Sequence, residues 1–382
     1  MVALKNLWKE PMFRKLIIAF IIIKLFIIAL GLVGDFSFPL DNVHQRNVTG
    51  NPILNEWAQY DGAGYLDLAQ NGYNKEWNNT GNYSVYPLFS MLIAVFAVIF
   101  GYPLAAFLIS NIFSLVAIIL LYILVRKELD EKKSYRAALF LMLFPTVYFF
   151  TAMYAESLFL ALVLAMFICA RKNQWLIVGL LGFAVSLTRI QGILVFLPML
   201  YMYVRQQKIK MNMLYLFLIP AGLACLFLYQ GFVTGDSLIQ FHYGFGLYEK
   251  GLSWPWDPVI ETLQNMITTT KIDWLFYNGA NFVMLLFMLG LTWHSYKNLK
   301  KEYFIYSALS ILFVLISSNL HGIGRYPLAM FPLFMSLAML YEKNDFNKWF
   351  VRILYVVFVA LLVVFVFRHV NQGIYLSLSF MF

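Results

Sequence analysis

The sequence carries little charge for its length. Only 12% of its 382 residues are Asp, Glu, Lys or Arg, whereas 62% are hydrophobic. An average soluble domain has a charged share of about 25%. This shortage excludes an intrinsically disordered chain, a nucleic-acid-binding domain and an ordinary cytosolic enzyme. Because so much apolar surface cannot be buried in one aqueous core, lipid must solvate much of it, and the composition predicts a polytopic membrane protein.

Cysteine is also scarce, and this excludes a disulfide framework. Cys169 and Cys225 both fall inside apolar runs, where a thiol behaves as a small hydrophobic group. The histidines show no H-x-x-x-H spacing, so we predict no metal site and no cofactor. A cleavable signal peptide is not expected either, because the first apolar run ends at residues 31–34 without an A-x-A pattern.

The apolar runs predict the membrane topology. A spanning helix needs about 20 mostly apolar residues, and the candidate runs are 16–34, 85–101, 103–125, 137–152, 154–170, 174–188, 191–204, 211–233, 277–295, 303–320, 327–341 and 350–367. If all of them crossed, the basic cluster at 126–136 would share a side with the polar loop 35–84, which contradicts the positive-inside rule. The short run 85–101 carries Pro87, and we predict that it is an interfacial helix that does not cross.

The predicted fold is therefore all-α, a single transmembrane domain over residues 1–382 with about eleven spanning helices. The net charge of +9 comes from short Lys and Arg clusters between apolar runs, as topology imposes, so no nucleic-acid partner is expected. With these clusters in the cytoplasm, the N-terminus is inside and the loops 35–84 and 234–276 face outside. The aromatic residues of the second loop are interpreted as an interfacial belt.

Two acids lie in polar segments beside the membrane, where charge is costly and usually has a function or a structural partner. Residues 61–69 predict an amphipathic helix, because Tyr65, Leu68 and Ala69 recur at helical spacing. Asp61 is either only the N-cap of that helix or a general base held by flanking aromatics. For Glu156, too, the alternative of a simple helix cap stays open. Asp67 is expected to be solvated.

Two arginines occupy comparable positions on the predicted outer side. Arg189 lies between two short apolar runs, and Arg325 follows His321 in a Gly-rich connection. Guanidinium groups at separate helix ends suit an anionic head group such as phosphate. Two alternatives remain open at this point: either the arginines reach lipid phosphates, or they pair with Glu156 and Asp61.

Five segments resemble the PIG-V mannosyltransferases, the family that adds the second mannose to GPI anchors. Residues 57–73 read W-x-x-Y-D-x-x-x-Y-L-x-x-A-x-x-G-Y, like the signature loop of that family, although Tyr60 stands where the family has Trp. The other matching segments are Y-P-L-F at 86–89, F-P through Y-A-E-S-L-F at 144–159, L-T-R-I-Q-G at 187–192 and G-R-Y-x-L-x-x-F-P at 324–332. The resemblance covers about residues 10–340 in order.

The resemblance implies a GT-C-type glycosyltransferase that moves a sugar, mannose in the family, from a polyprenyl-phosphate donor to an acceptor hydroxyl. The reaction inverts the anomeric centre and takes place on the extracytoplasmic face. The acceptor would be a glycan or glycolipid, and the short chain favours a prokaryotic cell membrane. Asp61 would be the base and Glu156 would orient the acceptor or an arginine, while the substrate would be bound by Trp57, Tyr65, Tyr154, Arg189, Gln191, His321, Arg325 and Tyr326.

A secondary transporter or lipid flippase is the alternative class, since it would have a similar number of helices. It would usually show repeated halves with broken helices, which the sequence lacks. The two classes differ in where the polar residues meet: near the midplane in a transporter, and at the outer interface in a GT-C enzyme.

Overall fold

The computed structural model describes residues 7–37, 48–74, 82–242, 252–270, 272–317, 319–343 and 345–370. Within these ranges the chain is helical apart from turns and one β-bridge between Leu252 and Ser317. This confirms the predicted all-α fold. Parts of the two predicted outer loops, including the aromatic residues expected between 243 and 251, lie outside the described residues.

The described part of the chain contains the following helices in sequence order. The first seven are α1 (Pro11–Ser37), α2 (Asp61–Asn71), α3 (Pro87–Phe100), α4 (Tyr102–Glu128), α5 (Glu131–Met142), α6 (Glu156–Ala170) and α7 (Trp175–Ser186). The next are α8 (Phe196–Gln206), α9 (Leu218–Thr234), α10 (Asp257–Thr268), α11 (Ile272–Asn298), α12 (Lys301–Leu315), α13 (Phe331–Lys343) and α14 (Asp345–Val370). The connections include single helical turns, among them Pro52–Asn55, Glu56–Ala58, Val147–Phe150, Ile190–Val195, Met211–Phe217 and Ile323–Leu328.

Several of these helices suit a bilayer, and the chain is a multi-pass membrane protein. Five stretches are long and apolar enough to cross: Pro11–Gly34, Tyr102–Glu128, Met211–Thr234, Leu275–Asn298 and Asn347–Val370. Helices α3, α6, α7 and α13 are apolar but shorter. The count of eleven spans stays a prediction, because the shorter helices need tilt or a protein neighbour to cross.

Helix α3 occupies the run that we expect not to cross. Pro87 stands in its first turn, where the missing N–H costs nothing, and Gly101 ends it with φ of +74°. Its 14 residues reach about 21 Å, less than the hydrocarbon thickness of about 30 Å. Its exposed side chains include Val95, Val98 and Ile99. Its place in the interface stays a prediction.

The run 137–152 is not one helix, contrary to the sequence-based expectation. Helix α5 ends at Met142, and a 3-10 turn follows at Val147–Phe150. Pro145 lies between them; it has no backbone N–H and disfavours helical geometry in the residue before it. The connection to α6 therefore runs as irregular chain, which brings Tyr148 and Phe149 into the interior, where both are buried.

The helix bundle has two distinct ends. Ser110, near the start of α4, donates to the carbonyl of Tyr154 just before α6 (3.0 Å), while Glu128 at the end of α4 pairs with Arg171 after α6 (2.7 Å). The two helices therefore run in the same direction. We call the two ends of the bundle the Glu156 end and the Arg171 end, after residues at the start and finish of α6.

Many basic residues lie at the Arg171 end, where they form ion pairs with acidic residues. Arg171 bridges Glu128 and Glu302, and Lys300 also pairs with Glu128 (2.9 Å). Further pairs join α1 to α4, and α5 to α13: Arg126 to Glu10, Lys133 to Glu342 and Arg136 to Glu342. These contacts join the ends of several helices on one side of the protein, whereas a different set of charges lies at the opposite end.

Candidate active site

Four helix connections meet at the Glu156 end, and each contributes one charged side chain. Asp61 is the first residue of α2 and Glu156 is the first residue of α6. Arg189 follows α7 and precedes the turn Ile190–Val195, and Arg325 lies in the turn Ile323–Leu328. Gly322, with φ of +71°, begins that last turn, a conformation that glycine adopts without steric cost.

The four side chains form one ion-pair cluster centred on Arg325. Its Nη1 donates to Asp61 Oδ2 at 2.7 Å, and its Nη2 and Nε donate to Glu156 Oε1 at 2.5 and 3.0 Å. Arg189 donates through Nη1 to the same Glu156 oxygen and through Nε to Gln191 Oε1 at 3.2 Å. The pairing of the arginines with Glu156 and Asp61, one of the open alternatives, is therefore what the structure shows.

The two carboxylates of the cluster differ in burial. The charges themselves balance, because two cations face two carboxylates. The Glu156 side chain is only 4% exposed, whereas that of Asp61 is 41% exposed. Burial alone would lower the pKa of Arg325, but Glu156 and Asp61 raise it well above its ordinary value, so its guanidinium is a cation. Asp61 is thus the acid that a substrate can reach.

The interpretation of both acids as helix caps is wrong. The N-cap of α2 is Tyr60 and that of α6 is Ala155, so Asp61 and Glu156 are each the first helical residue. Their carboxylates contact arginines instead of the backbone amides of the first turn. Tyr60 has φ of +54°, which is uncommon for a residue with a side chain and costs about 1–3 kcal/mol. Such strain is often found at functional sites.

Aromatic rings fix the position of Arg325. Its guanidinium lies 4.7 Å from the ring centroid of Phe149 and 5.2 Å from that of Tyr154, within the range of cation–π attraction. The Tyr154 hydroxyl donates to the carbonyl of Gln59 (2.9 Å). The Met153 amide donates to the carbonyl of Trp57 (2.8 Å). The segment before α6 is thus tied to the segment before α2.

Trp57 and Tyr65, which we expect to bind substrate, are both buried, and their role in binding stays a prediction. Trp57 is fully buried and packs against Gly31 of α1, where a Cβ would lie 2.5 Å from its ring. Tyr65 is buried against Phe89, with ring centroids 5.0 Å apart. Burial, with the Glu156 carboxylate nearby, raises the pKa of Tyr65 well above its ordinary value.

The remaining predicted residues lie in different surroundings. Gln191 and Tyr326 line a cavity together with Glu156, Arg189 and Arg325. His321 is half-buried and lies against the ring of Tyr277, with centroids 5.4 Å apart. Asp67, expected to be solvated, instead accepts hydrogen bonds from the side-chain amides of three asparagines, Asn71, Asn74 and Asn82.

Two cavities flank Arg325. One, of about 370 Å³, is lined by Glu156, Phe159, Arg189, Gln191, Tyr306, Ser310, Arg325, Tyr326, Ala329 and Met330. We call it the Glu156 cavity. The other, of about 440 Å³, is lined by Thr146, Tyr148, Phe149, Ala280, Asn281, Met284, Gly324, Arg325 and Phe365, and we call it the Met284 cavity. Arg325 therefore lines both cavities.

Sequence reasoning missed His369 near the end of α14. This side chain is fully buried, and its ring centroid lies 5.1–6.3 Å from those of Trp57, Tyr60, Tyr148, Phe149 and Tyr154. It thus contacts rings from both segments that hold the cluster. The only signal in the sequence was the pair Arg368-His369 after an apolar run, beyond the segments that carry the PIG-V resemblance.

Lys24 is a charged residue within α1, and its partners lie far away in the sequence. Its Nζ donates to the Phe150 carbonyl at 2.8 Å and to Thr151 Oγ1 at 3.0 Å. The ammonium therefore caps the turn Val147–Phe150, directly ahead of Tyr154 and Glu156. No group of three or more His, Cys, Asp or Glu side chains in the described part of the chain is placed to hold a metal ion.

Part of the chain matches a known protein family. A family model described as dolichyl-phosphate-mannose-protein mannosyltransferase matches residues 84–229, less than half of the chain. Those residues contain Glu156 and Arg189 but neither Asp61 nor Arg325. A search of curated proteins finds no match.

Two solved structures are similar over most of the chain. An oligosaccharyltransferase from Archaeoglobus fulgidus, tethered with an acceptor peptide containing the NVT sequon, has a TM-score of 0.50 and 13% identity over 93% of this chain. The chain therefore shares its fold with that oligosaccharyltransferase. It covers 55% of that oligosaccharyltransferase, about half of its length. ArnT from Cupriavidus metallidurans, bound to undecaprenyl phosphate, gives a TM-score of 0.49 at 13% identity over 93% of this chain and 75% of ArnT.

Proposed function

We propose that this protein is a membrane glycosyltransferase that moves a sugar from a polyprenyl-phosphate donor to an acceptor hydroxyl. The observation that carries the proposal is the contact between the half-exposed Asp61 and Arg325, 2.7 Å apart, with Arg189 joined to the same cluster through Glu156. Such a cluster combines a reachable carboxylate with two guanidinium groups, the groups that a proton transfer and a leaving phosphate require.

The reaction is an inverting displacement. The acceptor oxygen forms a bond to the anomeric carbon while the bond from that carbon to the phosphate oxygen breaks. Polyprenyl phosphate leaves with the electron pair, and the acceptor proton passes to Asp61. Arg325 engages only Oδ2 of Asp61, so Oδ1 is available to a hydroxyl, and a carboxylate within hydrogen-bond reach can act as general base.

The arginines retain donors for the leaving phosphate. A guanidinium has five N–H groups, and Arg189 uses two of its three nitrogens in hydrogen bonds to described residues. Its Nη2 is left for a phosphate oxygen. As negative charge develops on the leaving group, fixed cations in a partly buried site stabilise it more than water would. Glu156 holds both arginines in place for this role.

The Met284 cavity suits the lipid part of the donor. Its walls are mostly apolar and come from α11, α14 and the turn Val147–Phe150, and Arg325 stands at one side. A phosphate at Arg325 would therefore have an apolar space beside it for the first isoprene units.

The place of the cluster supports catalysis on the extracytoplasmic face. All four charged residues lie at or between helix ends, opposite the end where Arg126, Arg136, Arg171 and Lys300 gather. Because basic residues mark the cytoplasmic side, the cluster would face outside. A transporter would place such groups near the midplane, so the position of the cluster favours the enzyme.

The finer assignments rest on the PIG-V resemblance and on the partial match to a mannosyltransferase family model. They support mannose as the sugar, a glycan or glycolipid as the acceptor, and a prokaryotic cell membrane as the location. No cofactor enters this scheme.

The test uses purified protein in detergent with a panel of polyprenyl-phosphate sugars, including mannose, and a pool of glycan acceptors. We expect one sugar to be transferred with release of polyprenyl phosphate in equal amount. A transporter or flippase would instead move the lipid across a proteoliposome membrane without releasing it. Translocation without release would overturn the proposal.

A further inference from the structure

One oxygen of the buried Glu156 carboxylate is not satisfied by the protein. Both arginines bind Oε1, whereas Oε2 is buried and makes no hydrogen bond to any described residue. The side chain as a whole is only 4% exposed. A buried carboxylate oxygen without a donor is costly, and this one belongs to a side chain that lines the Glu156 cavity. The arrangement points to a ligand that brings its own donor.

The chemistry of Oε2 identifies the part of the substrate that fits. A carboxylate oxygen only accepts hydrogen bonds. An ionised phosphate also only accepts, and it would repel Glu156, so the phosphate cannot satisfy this atom. A sugar carries several hydroxyl groups, each with one hydrogen to donate. Of the two polar parts of the donor, only the sugar matches Oε2.

The rest of the Glu156 cavity agrees with this assignment. Ser310 donates to the Tyr306 carbonyl (2.9 Å), and Tyr306 donates to the Ala329 carbonyl (3.0 Å), so both hydroxyl oxygens remain acceptors for further sugar hydroxyls. Phe159 and Met330 supply apolar wall. A cavity with apolar walls and a few oriented polar groups is typical of a small-molecule site.

We infer that the Glu156 cavity receives the sugar of the donor, and that Glu156 Oε2 accepts a hydrogen bond from one of its hydroxyl groups. The inference rests on the proposed function and adds a sugar-specificity contact to it. Arg325, which lines this cavity and the Met284 cavity, would then separate the sugar from the lipid chain of the same donor.

The experiment measures equilibrium binding of polyprenyl-phosphate mannose and its 2-, 3-, 4- and 6-deoxy analogues, or the same series of another sugar if the panel above selects it. We expect one analogue to bind the wild-type protein about 10- to 100-fold more weakly than the parent, the usual worth of a hydrogen bond to a charged group. Glu156→Gln keeps an oxygen for the arginines but places a neutral NH2 donor at the Oε2 position. In this variant the difference between the sensitive analogue and the parent should shrink, because the hydrogen bond to a charged oxygen is replaced at best by a neutral one.

Glu302→Gln is the matched control, because Glu302 is a buried partner of Arg171 at the other end of the bundle. It should preserve the full difference between parent and analogue. If no deoxy analogue binds the wild type more than about threefold more weakly, or if Glu156→Gln weakens all donors by one common factor, the inference is overturned. The wild-type series decides even if the variant does not fold. Absence of any donor binding would instead contradict the proposed function itself.

Discussion

Asp61 and Glu156 share one guanidinium, yet their surroundings assign them different tasks. The Asp61 side chain is 41% exposed and offers one oxygen that Arg325 does not use, whereas Glu156 is buried and binds two arginines. An acceptor must approach from the membrane surface, so only Asp61 is open to its hydroxyl. Glu156 instead sets the position of both arginines. This difference in exposure is a physical reason to propose Asp61, and not Glu156, as the base.

The first prediction concerns Asp61→Asn. The variant keeps the shape of the side chain but removes the base, so kcat should fall by about 100-fold or more. Donor affinity should not weaken, because Arg325 keeps Glu156. Folding should survive, since an ion pair this exposed contributes about 0–1 kcal/mol. Steady-state kinetics and donor binding would be measured together. Asp67→Asn, on the same helix but held by asparagines, is the control and should turn over normally; a similar loss there would disprove a special role for Asp61.

The second prediction concerns Arg325→Lys. A lysine keeps the charge, but its single ammonium cannot hold Asp61 and Glu156 and a phosphate in the fixed geometry of a guanidinium. We expect donor affinity to fall about 10-fold or more. Arg171→Lys is the matched control, because Arg171 also bridges two carboxylates, at the opposite end of the bundle. It should lose a similar amount of stability without losing donor affinity. Equal donor affinity in both variants would remove Arg325 from phosphate binding.

At the scale of helices, the last residues of α14 pack against the aromatic side chains that surround the ion-pair cluster. His369 contacts Tyr60, next to Asp61, and also Phe149 and Tyr154, whose rings lie over Arg325. It therefore acts as a positioning residue that touches both halves of the ion-pair cluster through their aromatic supports. The strained backbone at Tyr60 needs such support to persist.

The third prediction follows from this packing. His369→Ala leaves a cavity among the rings and should lower the free energy of unfolding by about 2–4 kcal/mol, with a loss of turnover at temperatures where the protein is still folded. His369→Phe keeps a ring of similar size and should retain most of both. Thermal unfolding in detergent and kcat at low temperature would be compared. An alanine variant as stable and as active as the wild type would show that the rings do not depend on His369.

The sequence could predict most of the helices, but only some of the contacts between them. Helix α2 and the helix at 87–100 were predicted, because apolar spacing and Pro87 are local signals. Four separate segments at 61, 156, 189 and 325 were also singled out, since charge beside a membrane is costly wherever it occurs. The break after Met142 was missed, because an apolar run continues through Pro145. The contacts of His369 and Lys24 could not be predicted, because their partners are distant in sequence and mostly apolar or backbone groups.

At the scale of the whole molecule, the two ends of the bundle carry different kinds of charge. The Arg171 end has many basic residues that are paired between the ends of different helices, and the Glu156 end has one compact and balanced cluster. Helix α3 begins at the Glu156 end, where the Leu88 amide donates to the Leu187 carbonyl and Ser90 donates to the Tyr65 carbonyl. It is followed by α4, whose Ser110 contacts Tyr154 at that same end. These contacts support a helix that returns to the side on which it begins.

The last prediction tests this topology. Gln70 of α2 and Lys132 of α5 are both exposed, and the complete helices that the structure describes between them are α3 and α4. If α3 does not cross and α4 does, the two positions lie on opposite sides, with Lys132 inside among the basic residues that favour the cytoplasm. Single cysteines at each position, in a protein with Cys169 and Cys225 changed to serine, would be treated in intact cells with a membrane-impermeant maleimide. Gln70→Cys should react at once and Lys132→Cys only after permeabilisation. Reaction of both from outside would show that α3 crosses, and the reverse pattern would place the Asp61 cluster in the cytoplasm.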